Sequence, residues 1–394
     1  MTLNRKIFAT LFFSIFATVT GVGIVVPLLP VYAHHMGAGG LYIGLIFGAF
    51  SLSRTLFLPF FGRRSDRKGR KPYIIAGLIS YALISAAFIF WKNVEAFIVI
   101  RFIQGIASAM IMPIAQAYIG DITPVGREGF TMGLFNMSVF FGLSVGPLAG
   151  GTINSYLGIN VAFGCMGLLA FLGFLLSLFL LPPVRHEMVP NRGNSAPDWK
   201  WMAADREMIG LFIFRLGYTT CIGIIWGFLP VLADVEFSLS SAAIGVLVML
   251  GVFTSGLIHT PMGYLADRAD KSLMVLGGGI VISLAVFAFV WVQGFGGLFF
   301  ANILFGIGGG VSMPALMAIS VIKGNKTAAM GSIMAVLTLA HSTGMLLGSL
   351  LGGLAMDIWH LRQAFKLGAG CMLLSSVLFF CLISHRGTPR LPDN

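Results

Sequence analysis

Arg54, Arg101, Arg215 and His341 stand inside otherwise apolar stretches with side chains able to bind or move charge. A guanidinium stays charged at any physiological pH and offers five N–H donors in a planar fork that suits carboxylate and phosphate oxygens. An imidazole titrates near neutrality. Together these groups describe anion binding, with one member able to carry a proton. No carboxylate is at hand to neutralise them, because Glu95, Asp121, Asp234, Glu236 and Asp357 all stand at the ends of apolar runs or between them. Gln104, one helical turn after Arg101, adds an amide on the same face. Asn136, Tyr218, Trp226 and Asn302 supply further polar or aromatic groups, although each is more simply explained as a helix-packing contact. For the arginines the simpler reading is a side chain that snorkels to the nearer interface.

The elements that must hold these residues are long and apolar. The chain of 394 residues is 57% hydrophobic and only 10% charged, against about 25% charged in an ordinary soluble domain. Mean hydropathy is +0.92. A bilayer crossing needs about 20 predominantly apolar residues, and twelve runs qualify. They lie near 8–31, 41–61, 72–90, 95–119, 130–152 and 160–181, then near 208–232, 242–264, 273–292, 297–321, 328–352 and 364–384. The fold class expected is therefore an all-α integral membrane protein. Pro182 and Pro183 end the sixth run, and the polar interval that follows divides the chain into 1–183, a linker at 184–207, and 208–394. A short interfacial helix is expected at 199–204, where two tryptophans suit the headgroup zone.

Charge sets orientation and excludes other classes. Of the 25 Lys and Arg, 19 fall in segments on one side, three on the other and three within spans. Basic residues collect on the cytoplasmic side, so both termini are expected in the cytoplasm of a bacterial-type inner membrane. The net charge of +11 sits in short loops rather than on one amphipathic face, which argues against a nucleic-acid partner. Cys165, Cys221, Cys371 and Cys381 lie in apolar runs without metal-ligand spacing. Neither a metal nor a cofactor is expected, and no nucleophile, base and orienting group come together as in an enzyme.

The polar knot Gly62 to Lys71 carries six positive side chains in ten residues and reads as an aqueous loop between the second and third spans. Its Gly62, Asp66, Arg67, Gly69, Arg70 and Lys71 match a G-x-x-x-D-R-x-G-R-K pattern. Part of it recurs 201 residues later as Gly263, Asp267 and Arg268; the same offset takes Gly105 to Gly306 and Pro113 to Pro314. In this the chain resembles the major facilitator superfamily, whose fold is two pseudo-symmetric six-helix halves with a site between them at mid-depth. The resemblance implies that Asp66 accepts hydrogen bonds from a helix end of the other half and latches the outward-facing state. In the fifth span Gly142, Gly146, Pro147, Gly150 and Gly151 resemble an element of the drug/proton antiporter branch, the multidrug and tetracycline exporters, and imply export.

One departure bears on the substrate. That branch usually carries a carboxylate in the first span or another, and here the first span has Pro27 and Pro30 but no acid. This disfavours a cationic drug. The expected function is export of a small amphipathic compound by alternating access, with transport of an anionic metabolite or lipid-like anion, or a non-transporting sensor or scaffold, as alternatives. If a proton takes part, His341 is the intramembrane group to carry it: neighbouring arginines disfavour a second positive charge there and a bound anion favours it. Otherwise the protein is a uniporter and His341 only bonds a neighbour. A functional monomer in contact with membrane lipids is expected.

Overall fold

The computed structural model describes residues 4–123, 128–182, 204–327 and 330–384. Apart from Ala204 and the three residues after it, the linker and its expected interfacial helix lie outside the described residues. The first half contains α1 (Arg5–Val25), α2 (Leu28–His35), α3 (Gly40–Lys68), α4 (Lys71–Phe90), α5 (Val94–Ile122), α6 (Glu128–Leu157) and α7 (Ile159–Leu180). The second contains α8 (Arg206–Val235), α9 (Ser241–Arg268), α10 (Lys271–Ala288), α11 (Gly294–Thr327), α12 (Met330–Ile358) and α13 (Leu361–Ser384). Pro27 separates α1 from α2, which together make one crossing, so the described residues hold 12 spans. Helices are the solution because hydrocarbon offers no partner for a backbone N–H or C=O outside the segment itself.

Most helices run past their apolar stretches, because a helix needs no new hydrogen-bond partner when it emerges into water. The largest difference from expectation is at 62–71. Instead of a loop, residues 62–68 continue α3, and the chain turns at Gly69, whose φ of 91° lies in the left-handed region that glycine tolerates. At the equivalent position of the second half stands Asp270, which caps α10 by accepting from the Ser272 and Leu273 amides at 2.8 and 3.1 Å. The ninth span is shorter than expected, ending at Ala288 rather than 292.

The internal repeat is visible in packing. A Cβ on Gly105 would meet Ser53 Oγ at 2.0 Å and Phe50 O at 2.3 Å, while one on Gly306 would meet Thr254 Cβ at 2.7 Å and Gly251 O at 2.8 Å. Residues 50 and 53 lie 201 positions before 251 and 254, so the same close crossing of two helices occurs in both halves. At the start of the second half Asp205 caps α8 through the Met208 amide. Burial alone would push the Asp205 carboxyl up, but the Lys323 ammonium at 2.8 Å and the Met208 amide outweigh it and hold the group below the usual carboxylate range.

Two antiparallel helix pairs join the halves: α3 with α12 and α6 with α9. Both are tightest at the end away from residues 62–71, called here the distal end, the other being the basic end. Along α3 the face that meets α12 is buried at Gly40, Gly44, Gly48 and Ser51 and only half-buried farther on, at Thr55, Leu58 and Gly62. The facing row of α12 is buried at Gly353 and Ser349 and exposed at Thr338 and Ala335. The two helices therefore diverge toward the basic end. Every hydrogen bond between described residues of the two halves lies at the distal end: His35 with Asp234, Asp357 with Gly40 and Leu41, Asn154 with Ser241, and Ser155 with Ala242.

Candidate functional site

The seam between α3 and α12 begins to open at the depth of Arg54. That residue is midway along α3, ~21 Å from either helix end at 1.5 Å per residue. Arg215 on α8 and His341 on α12 lie ~14 and ~17 Å from the basic ends of their helices by the same rise. Arg215 Nη2 stands 3.2 Å from His341 Nδ1. Arginine has no acceptor, so Nδ1 must accept, and the imidazole here is neutral with its proton on Nε2. Arg54 reaches the same histidine electrostatically from the other half. Arg215 and His341 thus meet within the second half, with Arg54 of the first half in electrostatic range across the seam.

These groups are poorly matched by the protein. The Nε atoms of Arg54 and Arg215 are both buried without a hydrogen-bond partner. Arg215 finds Met313 Sδ at 2.9 Å and lies 5.9 Å from the Tyr218 ring, which stacks at 5.9 Å on Phe305. Sulfur and a π-face are weak acceptors, and a buried unpaired donor costs about 1–3 kcal/mol, more when charged. Neither arginine snorkels to an interface. Such a cation persists in a membrane only if it faces water or a partner.

Arg101 has a different environment. It is 5% exposed, donates to Gln104 Oε1 at 2.7 Å and to the Ile46 carbonyl at 3.3 Å, and lies over the rings of Phe50 and Phe47 at 4.3 and 5.2 Å. Gln104 in turn reaches Met166 Sδ at 3.9 Å. Arg101 and Gln104 therefore bind α5 to α3 and α7 within the first half rather than lining the seam. Asn302 is likewise turned inward, its amide donating to the Leu298 carbonyl of its own helix at 2.9 Å. Asn136 and Trp226 are half-buried on α6 and α8, and among the described residues neither is hydrogen-bonded to an arginine. Sequence reasoning passed over Tyr81 on α4, which is buried beside Ser108 and within electrostatic range of both Arg54 and Arg101. A lone phenol in an apolar run was the available signal.

The sequence profile of the Major Facilitator Superfamily matches residues 11–319 and 208–394. The chain belongs to this superfamily. A protein of Methanocaldococcus jannaschii described as an uncharacterized MFS-type transporter is 26% identical over 391 residues, covering 97% of this chain and 99% of that one. The quinolone resistance protein NorA of Staphylococcus aureus is 25% identical over 397 residues, covering 98% of each. Among solved structures, that of the nucleoside transporter NupG superposes with a TM-score of 0.80 at 13% identity, covering 96% of this chain and 100% of that one. The twelve-span, two-bundle architecture is that of the superfamily. Its members are secondary transporters of small molecules and not enzymes, and so is this chain.

The facilitator motif residues are placed as follows. Arg70 is buried and bonds Asp66, Ser65 Oγ (2.9 Å) and Asp121 Oδ2 (3.1 Å), tying the ends of α3 and α5 together within one half. The Asp66 side chain is 55% exposed and meets no described residue of the other half in this arrangement. Arg67, Asp267 and Arg268 are exposed, Arg268 lying 4.1 Å over the Tyr264 ring. On α6 the glycines serve two neighbours. A Cβ at Gly142, Gly146 or Gly150 would meet α1 at 3.0, 2.5 and 2.3 Å, while one at Gly151 would meet Ser241 O of α9 at 2.2 Å. Pro147 O would lie 2.3 Å from a Cβ on Gly245, also on α9. The stripe lets α6 lie against both helices at once.

Proposed function

We propose that the protein exports small amphipathic anions, with the basic end in the cytoplasm and the substrate held at mid-membrane between Arg54, Arg215 and His341. The observation that carries this reading is the presence of two underpaired guanidinium groups from opposite halves within electrostatic range of one histidine, with no carboxylate bonded to either among the described residues. An anionic head would satisfy both forks, while the surrounding Tyr218, Phe305 and Met313 suit an apolar body. Opening toward the basic end lets the site load from the cytoplasm. The likeness to a quinolone resistance protein supports efflux of an amphipath, and the missing intramembrane acid supports a negative charge on it.

Energetics favour a simple driving force. An inside-negative potential expels an anion with about 2.3 kcal/mol per charge per 100 mV, so an anion exporter needs no exchanged ion. A proton taken up by His341 would be favoured by the bound anion and would travel with it, cancelling that drive. His341 therefore acts as a neutral acceptor that orients Arg215, and the protein works as a monomeric uniporter whose residues 1–183 and 208–394 rock about the site. Everted membrane vesicles from cells making the protein should take up a fluorescent amphipathic carboxylate when an interior-positive potential is imposed, and vesicles lacking it should not. Uptake confined to right-side-out vesicles under the potential that favours anion entry would reverse the direction.

A further inference from the structure

The carboxylate of Asp357, in the last turn of α12, reaches across the seam to the first turn of α3. Its Oδ1 accepts from the Gly40 amide at 2.6 Å and its Oδ2 from the Leu41 amide at 2.7 Å. A helix leaves its first four N–H groups without intrahelical partners, and a side chain just ahead of the helix usually caps one of them. Here the preceding residue is Gly39, extended at φ −70°, ψ 171°, with no side chain to do so. The cap of α3 is thus supplied by the other half. The bonds are charge-assisted, and a negative group at a helix N-terminus is favoured by the helix dipole.

The approach is close enough to depend on glycine. A Cβ on Gly40 would sit 2.4 Å from Gly353 O, and one on Gly44 would sit 2.4 Å from Ser349 O. Any rocking that opens the distal end must separate Asp357 from both amides together. The neighbouring cross-half pair, His35 Nε2 with Asp234 Oδ2 at 2.7 Å, has a histidine side chain 59% exposed, and an exposed pair contributes little.

We propose that Asp357 is the latch of the distal gate: by capping α3 in trans it sets how often the transporter opens away from the basic end. It ends α12 as Asp66 ends α3, so each acid of this antiparallel pair stands at the end where the partner helix begins. Opening one end releases one acid and brings the other toward its partner helix. This rests on the two-bundle architecture and not on the substrate, and it can be tested without any substrate.

The test uses purified protein in nanodiscs, where a polar maleimide reaches both ends, with labelling corrected for the four native cysteines of the parent chain. Two reporters are placed singly: Ser349→Cys, buried at the distal gate, and Thr338→Cys, exposed on the face of α12 where the seam opens. Asp357→Ala should label Ser349→Cys at least tenfold faster and Thr338→Cys at least threefold more slowly. Asp357→Asn, which keeps one acceptor oxygen and loses the charge, should shift both rates in the same directions by a smaller factor. Asp234→Asn should move neither by more than threefold. An unchanged Ser349→Cys rate in Asp357→Ala overturns the latch, as does faster labelling of both reporters, which would mean general loosening. Should Asp357→Ala fail to fold, an unchanged pair of rates in Asp357→Asn overturns it equally.

Discussion

Replacing Arg54 or Arg215 by glutamine is expected to weaken binding of an amphipathic carboxylate by about 10- to 150-fold. A hydrogen bond to a charged group is worth about 1.5–3 kcal/mol net, and 1.4 kcal/mol is tenfold. A neutral ester of the same compound loses no Coulomb attraction, so its affinity should change by less than about threefold. The thermal midpoint gives an independent check with an unusual sign. Each guanidinium now holds a buried nitrogen without a partner, so removing the charge relieves a desolvation cost and the melting temperature should hold or rise. Titration of carboxylate and ester against the purified variants, with melting followed in parallel, reads all three quantities. Equal loss for both ligands together with a lowered melting temperature would assign the arginines to folding instead.

The second large effect concerns the driving force. In proteoliposomes carrying a potassium diffusion potential of about 100 mV, the wild-type protein should distribute a monovalent amphipathic anion about 50-fold toward the positive side, the ratio that 2.3 kcal/mol per charge allows. A pH gradient without a potential should give no accumulation. His341→Gln keeps an acceptor oxygen for Arg215 and removes the titratable ring, so potential-driven accumulation should persist in it. His341→Leu leaves Arg215 Nη2 without that acceptor and should transport more weakly than His341→Gln. If instead the wild type accumulates substrate on a pH gradient alone and His341→Gln abolishes this while counterflow survives, His341 carries a coupling proton and the uniport account fails.

The architecture was legible because its signals are local. Apolar runs, basic knots and a 201-residue offset are read one segment at a time, and the observed spans differ from the expected ones mainly at their ends. What segment reading could not supply was which face each side chain turns. Arg54 and Arg101 look alike in sequence, yet one meets the seam and the other is absorbed by Gln104, Ile46 and two phenylalanines of its own half. Asn302 looked like a cavity group and is spent on its own helix. The error at 62–71 has a similar cause: charge shows that a segment leaves hydrocarbon, but a helix can leave hydrocarbon and remain a helix. In sequence Asp357 is an acid at a helix end, and only the crossing of α3 and α12 brings it to the first amides of the other helix.

The central claim is that the mid-membrane site selects negative charge. The most direct measurement is transport by the wild-type protein of three analogues sharing one apolar body and differing only in a carboxylate, a methyl ester or a quaternary ammonium group, each followed as counterflow in proteoliposomes without ion gradients. The account predicts fast exchange of the carboxylate, slow exchange of the ester and none of the cation, a ranking that collapses in Arg54→Gln and Arg215→Gln. Exchange of the ammonium analogue at a rate equal to or above that of the carboxylate would contradict it.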